Sequence, residues 1–318
     1  MLLSEILRRI KQPHELIRDG SFDFLEQCTR IRASSALTYI DRVKFLPYLE
    51  QKGISCVICS PELKDYLPNH IKGVVTAENP KGVFFEAHNL LVEKSAKKAT
   101  VIDKTAVICP GAVISPYNVE IGPDVVVGAN AVIEENCILE RGVRIGANST
   151  VGCQNFDVIQ HGDALFMAKN GGWVRMREYS EIGSGVQVEG ATLMKDVTDI
   201  GQYVKIDNSV VIGHGSSIGT RTLIAGMSVI SGNVTIAADV FIGVGVTISN
   251  RIRIGDHARV SLGSVVTKDV PAGQTVTGNF AIDHARFMQN LKASVASQTD
   301  GNDHPVKKNS TEEKEYGV

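Results

Sequence analysis

An aliphatic residue recurs at every sixth position along the second half of the chain, without an exception. A period of six fits neither the 3.6-residue period of an amphipathic helix nor the two-residue alternation of a half-buried strand. It is typical of a β-solenoid, in which three short strands make one triangular coil of about 18 residues. We therefore predict a left-handed parallel β-helix with stacked aliphatic side chains in its core. The fifteen positions are Ile182, Val188, Met194, Ile200, Ile206, Ile212, Ile218, Ile224, Ile230, Ile236, Ile242, Ile248, Ile254, Val260 and Val266.

The same repeat occurs upstream in a different phase, from Ile102 to Ile114 and from Ile121 to Val151. The phase is lost across residues 153–181, so this segment is predicted to leave the column as an excursion loop. Long ordered loops in compact proteins are more often functional than not. We expect the site to use this loop.

Outside the repeats, the chain divides into three further segments. Residues 1–97 mix helix-like and strand-like patterns and predict a small α/β domain, which precedes the β-helix at residues 98–271. Residues 272–296 predict a C-terminal extension with a helix, and the polar residues 297–318 predict a disordered tail. Cys56 and Cys59 lie in an apolar run and are expected to be core residues of a strand.

Bulk properties exclude several classes of protein. The net charge of −2 argues against a nucleic-acid binder. The six cysteines in 318 residues do not suggest a disulfide framework. No secretory signal and no apolar run of about 20 residues is present. A cytoplasmic, soluble protein is expected.

His214 is the histidine with the most informative spacing. It follows the inward-facing Ile212 by two positions, and at intervals of 18 residues it is preceded by Asp196 and followed by Gly232. In a stacked solenoid these three residues would lie about 4.8 Å apart along one edge. A carboxylate there would orient the imidazole as a general base, and glycine would let a backbone N–H reach an oxyanion. The alternative is a surface histidine beside an unrelated aspartate.

His161 and His257 are two further histidines in or near the predicted repeats. His161, in the predicted loop, either lines the same cleft or is solvated. A zinc site would need three histidines on adjacent coil edges, and the separations of His161, His214 and His257 do not provide this. No metal is expected.

The hexad column, the loop motif Gly171-Gly172-Trp173-Val174 and the pair Asp207-Asn208 before His214 together resemble one family. With the leading domain, they are similar to the UDP-3-O-acylglucosamine N-acyltransferases of lipid A synthesis, known as LpxD. The resemblance extends over almost the whole chain apart from the tail. It implies a homotrimer that moves a (3-hydroxy)acyl chain from acyl carrier protein to the 2-amine of a UDP-linked 3-O-acylglucosamine.

The resemblance also implies roles for individual residues. His214 falls on the catalytic base, with Asp196 as an acidic partner and Gly232 as the oxyanion glycine. Residues 1–97 resemble a uridine-nucleotide-binding domain. The residues expected to bind substrate are Tyr39 and Phe45, which would stack on the uracil or else pack in the core, and Asp207 and Asn208, which would line the cleft. His161 is grouped with them, and Trp173 would cap the loop or act as a packing anchor. No cofactor is expected beyond the phosphopantetheine of the carrier protein.

Basic residues toward the C-terminal end suggest a docking face for the acidic carrier protein, with an ordinary solvated surface as the alternative. These residues are Arg251, Arg253, Arg259 and Arg286.

The sequence departs from the family at Asn155-Phe156-Asp157, where Gly-Phe-Gly is usual, and at Arg251, near which a histidine is expected. Two other functions fit the pattern: an acetyl-CoA-dependent N-acetyltransferase acting on a nucleotide-linked amino sugar, and a non-catalytic scaffold.

Overall fold

The computed structural model describes residues 1–278 and 283–299, apart from the side chains of His161 and of residues 295–299. The chain forms two compact units, Met1–Gly278 and Asn279–Val318. The first contains an N-terminal α/β region and a left-handed parallel β-helix, as the hexads predict. In the second, helix α3 spans His284–Thr299 and so includes three residues of the predicted tail.

The β-helix has three parallel sheets, which we call faces 1, 2 and 3 in the order in which the chain visits them. Face 1 contains Val101–Ile102, Val119–Ile121, Cys137–Leu139, Trp173–Met176, Val197–Ile200, Ser217–Ile218, Thr235–Ile236 and Arg253–Ile254. Face 2 contains Val107–Ile108, Val126–Val127, Arg144–Ile145, Glu181–Ile182, Lys205–Ile206, Leu223–Ile224, Phe241–Ile242, Arg259–Val260 and Thr275–Val276. Face 3 contains Val113–Ile114, Val132–Ile133, Thr150–Cys153, Gln187–Glu189, Val211–Ile212, Val229–Ile230, Thr247–Ile248 and Val265–Val266.

Most of the two-residue strands direct their second side chain into the column and their first side chain outward. Ile230 is fully buried, whereas the adjacent Val229 is 39% exposed. The residue three positions after the inward aliphatic commonly has left-handed backbone angles, as at Asn130 (φ 57°) and Asn233 (φ 60°). Asparagine tolerates this region better than most residues because its short polar side chain can bond locally. These corners turn the chain from one face to the next.

The column departs from the predicted register at two places. Trp173–Met176 pairs in parallel with Cys137–Leu139 on face 1, so the excursion ends before Trp173 and not at residue 181. In the next coil Ile182 pairs with Ile206, 24 residues later, so this coil is one hexad longer than its neighbours. The extra residues bulge outward between Glu189 and Val197, and Met194 is therefore not part of the column, contrary to the prediction. The column also continues to Thr275–Val276, beyond the predicted end at residue 271.

The N-terminal region contains a five-stranded sheet. The strands are β1 Glu15–Arg18, β2 Phe24–Leu25, β3 Ala36–Ile40, β4 Ile54–Cys59 and β5 Gly73–Thr76. Their order in the sheet is β1-β5-β4-β3-β2, and only β1 is antiparallel to its neighbour. Cys56 and Cys59 are free and buried on β4, as predicted. The helices are α1 Leu3–Leu7, α2 Pro80–Lys94 and the 3₁₀ segments Val43–Glu50 and Pro61–Tyr66.

The excursion loop fastens the N-terminal region to the β-helix. It contains an antiparallel hairpin of Val158–His161 and Ala164–Met167, and Ile159 is buried in the core of the N-terminal region. On α2, His88 donates its Nε2–H to the Lys169 carbonyl at 2.9 Å. Burial lowers the pKa of His88, which favours the neutral ring in this contact.

No helix among the described residues has the length and apolar character needed to cross a bilayer.

We predict that Ile230→Ala will lower the free energy of unfolding by about 2–5 kcal/mol, because it leaves a cavity in the column. Chemical denaturation measures this loss. The matched control is Val229→Ala. Val229 is 39% exposed in the folded protein, so its side chain buries less apolar surface on folding than that of Ile230 and its loss should cost less stability. Equal losses for the two variants would contradict the assignment of inward and outward positions.

Candidate active site

His214 lies at the corner between faces 3 and 1, and side chains of the preceding coil hold its backbone. The His214 N–H donates to Glu189 Oε2 at 2.9 Å, and the Gly215 N–H donates to Thr198 Oγ1 at 2.9 Å. Gly215 has φ +65°, a left-handed conformation that favours glycine. Glu189 and Thr198 flank the extra hexad, so His214 sits where this insert leaves and rejoins the column.

Gly232 is the neighbour of His214 on the following coil, as the 18-residue spacing predicts. The pairing of Ile212 with Ile230 sets this register. A Cβ atom on Gly232 would lie 2.5 Å from His214 Nε2, so only glycine leaves room for the ring. The ring therefore packs directly over the Gly232 backbone.

The Gly232 N–H donates no hydrogen bond among the residues 1–278. Elsewhere, corner N–H groups can bond a side chain of the preceding coil, as the Gly226 N–H does with Asp207 Oδ2 at 3.2 Å. The corresponding residue before Gly232 is Gly213, which has no side chain. A backbone donor is therefore left free beside the imidazole.

The predicted stacking of Asp196 below His214 is wrong. The 24-residue coil places residue 190, not residue 196, in register with His214. The Asp196 carboxylate instead accepts a hydrogen bond from Arg32 Nη2 of the N-terminal region at 2.7 Å. Thr192 Oγ1 lies 3.4 Å from His214 Nδ1.

Asp207 and Asn208 occupy a different corner, between faces 2 and 3. Asp207 Oδ1 accepts the N–H of Asn208 at 2.8 Å, and Asn208 Oδ1 accepts the N–H of Ser184 at 2.7 Å. Their side chains hold adjacent coils together. Within one chain, the structure does not bring them to His214.

Trp173, expected to cap the loop or to act as a packing anchor, comes directly after the excursion loop. It begins a strand of face 1, is half-buried, and donates its backbone N–H to the Asp196 carbonyl at 3.0 Å. Trp173 thus adjoins the insert. His161 ends the first strand of the hairpin, and its side chain lies outside the described atoms.

Tyr39 and Phe45 line a cavity of about 310 Å³ at the junction of the N-terminal region and the β-helix. Burial raises the pKa of Tyr39, Asp41 raises it further, and Arg251 opposes these effects. The Tyr39 ring also packs against Phe84, with ring centroids 5.0 Å apart. Tyr39 therefore combines a core contact with one face of the cavity.

The cavity is rich in cations. Arg42, Lys44, Lys81 and Arg251 line it together with the single carboxylate of Asp41. None of these four cations forms an ion pair within the described part of the chain. A cavity with aromatic rings and unpaired cations suits a flat, anionic ligand.

Arg251 connects this cavity to the His214 corner. Its backbone N–H donates to the Gly232 carbonyl at 3.1 Å, one coil beyond Gly232. The corner thus carries His214, Gly232 and Arg251 on successive coils.

The four arginines predicted to form a docking face belong to different elements of the structure. Arg251 lines the junction cavity, Arg253 lies on face 1, and Arg259 lies on face 2 over the Phe241 ring at 4.8 Å. Arg286 belongs to α3 in the second unit.

Among residues 1–278 and 283–299, no group of three or more His, Cys, Asp or Glu side chains is arranged to hold a metal ion.

Comparison with known proteins identifies the repeat. Residues 118–153 match the family model described as bacterial transferase hexapeptide (six repeats). A comparison with curated proteins found no match.

Solved structures with similar coils include the UDP-N-acetylglucosamine acyltransferase of Campylobacter jejuni, at 18% identity and a TM-score of 0.45, covering 64% of this chain and 92% of that one. LpxA of Acinetobacter baumannii has 22% identity and a TM-score of 0.41, covering 61% and 76%. PerB of Caulobacter crescentus, solved with CoA and GDP-perosamine, has 14% identity and a TM-score of 0.19, covering 74% and 73%. Scores this low carry no argument about activity or site residues.

We predict that Gly232→Ala will displace the His214 ring, because the new methyl group would meet Nε2 at 2.5 Å. A crystal structure of the variant would show this as a change in the His214 side-chain torsions. Gly278→Ala is the matched control, since a Cβ at Gly278 meets no atom within 4 Å. A ring that stays in place in Gly232→Ala would contradict the packing described here.

Proposed function

We propose that the protein is an N-acyltransferase that moves an acyl chain from a thioester to the amine of a nucleotide-linked amino sugar. The observation that carries this proposal is one solenoid corner with an imidazole at His214, a free N–H at Gly232 and Arg251 at the cavity of the N-terminal region. A general base, an oxyanion donor and an anionic-ligand site are the parts this reaction requires.

His214 supplies the base. As the sugar amine attacks the thioester carbonyl, a C–N bond forms and one amine proton moves to Nε2, the ring nitrogen beside Gly232. The Gly232 N–H stabilises the oxyanion on the carbonyl carbon. The C–S bond then breaks, and the proton held by the imidazolium passes to the leaving thiolate. No covalent enzyme intermediate is needed because the thioester is already activated.

The junction cavity would bind the nucleotide part of the acceptor. Stacked coils are about 4.8 Å apart, so the coils of His214 and Arg251 are separated by about 10 Å. A sugar diphosphate is of comparable length, and a nucleoside base could then lie between Tyr39 and Phe45. The unpaired cations of the cavity would neutralise the diphosphate.

Within this proposal, the acceptor is a UDP-linked 3-O-acylglucosamine of lipid A biosynthesis and the donor is an acyl chain on acyl carrier protein. The family resemblance supports both choices, and it also supports a homotrimer. Asp207 and Asn208 lie at the corner between faces 2 and 3, away from the His214 corner of the same chain. In a homotrimer, they would contribute to a cleft formed with the His214 corner of a neighbouring subunit.

We predict that His214→Ala will lower the rate of acyl transfer by about 100- to 10,000-fold, the usual range for loss of a general base. Mass spectrometry of the product formed from UDP-3-O-acylglucosamine and a mixture of acyl carrier protein thioesters measures this, with acetyl-CoA supplied separately. His257→Ala, an exposed corner variant, serves as the control and should retain the wild-type rate. Undiminished acylation by His214→Ala would refute the base and favour the scaffold.

Tyr39→Ala is expected to weaken binding of the nucleotide-sugar about 5- to 150-fold, the range of one base-stacking contact of about 1–3 kcal/mol. The effect should appear in KM and in the calorimetric Kd for UDP, with kcat less affected. Tyr39→Phe keeps the ring and is expected to bind normally. If both variants bind UDP as the wild type does, Tyr39 has no stacking role.

A further inference from the structure

One hydrogen bond distinguishes the corner of His214 from the same corner on the next coil. The pairing of Val188 with Ile212 places Glu189 in register with Gly213. The Glu189 carboxylate accepts the N–H of the residue after its counterpart, which is His214, through Oε2 at 2.9 Å. An acidic side chain of the preceding coil therefore caps the backbone of the candidate base.

The same relation recurs at another corner and is missing at Gly232. Asp207 is in register with the residue before Gly226, and its Oδ2 accepts the Gly226 N–H at 3.2 Å. Gly213 stands in this capping position relative to Gly232 and has no side chain. Within the described part of the chain, the N–H of His214 is thus held by a carboxylate and that of Gly232 is open.

Thr198 supports the other side of His214. Its Oγ1 accepts the N–H of Gly215 at 2.9 Å and donates its own proton to the Glu189 carbonyl at 2.8 Å. The hydroxyl therefore has both a donor and an acceptor as partners, and Thr198 is fully buried. The two peptide groups that flank the His214 Cα atom are bound to the two residues that flank the extra hexad.

The N-terminal region holds this insert in place. Leu193, inside the insert, is buried in the core of that region. Arg32 Nη1 donates to the Lys195 carbonyl at 2.6 Å, in addition to the ion pair between Arg32 and Asp196. Packing and hydrogen bonds thus fix the segment between Glu189 and Thr198.

We propose that Glu189 is a positioning residue, which keeps the His214 ring over Gly232 by anchoring the backbone from which the ring extends. Glu189 takes the supporting part predicted for Asp196, but it acts on the peptide group and not on the ring. A base and an oxyanion donor that act on one carbonyl carbon need a fixed separation, since a misplacement of about 1 Å can lower a rate about 100-fold. The kinetic consequence rests on the proposed function, whereas the position of the ring can be measured without substrate.

The first test compares the rates of the full-length wild type, Glu189→Ala and Glu189→Gln. Alanine removes the acceptor of the His214 N–H, whereas glutamine keeps an amide oxygen that can accept it. Glu189→Ala should lower kcat about 10-fold or more, the scale of a hydrogen bond to a charged group, with KM for the nucleotide-sugar little changed. Glu189→Gln should restore most of the lost kcat. A glutamine variant as slow as the alanine variant would point to the charge of Glu189, or to a base, and would overturn the inference.

Asp256→Ala is the matched control. Asp256 Oδ1 accepts the N–H of Ala238 at 3.1 Å, so this variant removes a bond of the same kind at a corner that the proposed site does not use. Its kcat should equal that of the wild type, and a loss as large as in Glu189→Ala would assign the effect to general loosening of the coils. If Glu189→Ala does not fold, Thr198→Val removes the acceptor of the Gly215 N–H and should lower kcat about 3- to 10-fold; an unchanged kcat there would count against the inference.

Crystal structures without substrate give a second measurement. The His214 ring should leave its place over Gly232 in Glu189→Ala and keep it in Glu189→Gln, and a ring that stays in place in Glu189→Ala would overturn the inference. If His214→Ala abolished transfer while Glu189→Ala changed neither ring nor rate, the proposed function would stand and only this inference would fall. If His214→Ala kept transfer while the ring moved in Glu189→Ala, the function would fall and the anchoring by Glu189 would remain.

Discussion

The parallel register between coils is the constraint on which the candidate site depends. Each coil bonds the next through its backbone, and each inward aliphatic packs on its counterparts above and below. A residue at a corner can therefore meet only the residues at the same corner of adjacent coils, or groups that project from outside the column. His214 meets Gly232 in the first way and Thr192 in the second. Chemistry on this fold needs both kinds of neighbour.

The repeat alone predicted the first kind of neighbour but not the second. The pair of His214 and Gly232 follows from one 18-residue step that the structure preserves. The step toward Asp196 failed because the insert is one hexad long. An insertion of a whole period leaves the aliphatic spacing intact, so Met194 continued the pattern in the sequence while lying outside the column. Periodicity detects the fold well and detects such an insertion poorly.

Residues that support the corner were missed for a related reason. Asn155 bonds Thr192, and Thr192 and Glu189 each contact His214. These residues lie in an irregular loop and beside a bulge, whose shape depends on packing against the N-terminal region. No local pattern encodes that packing. The one signal available was the change from Gly-Phe-Gly to Asn155-Phe156-Asp157, which introduces the amide that now bonds Thr192. Tyr39 and Phe45 line one cavity, and the resemblance to a family, not periodicity, singled them out; their role in stacking on uracil stays a prediction.

Arg251, which stands near the position where the resembled family has a histidine, lies in the junction cavity. A single exposed arginine in a solenoid corner would contribute little free energy to the binding of a partner protein, because an exposed ion pair contributes at most about 1 kcal/mol. In the junction cavity, Arg251 instead adds to three cations from the N-terminal region that have no carboxylate partner of their own. Like charges gathered in one cavity repel one another, and an anionic ligand relieves this repulsion. The N-terminal region therefore holds the insert beside His214 and, with Arg251, gathers four cations in a cavity two coils away.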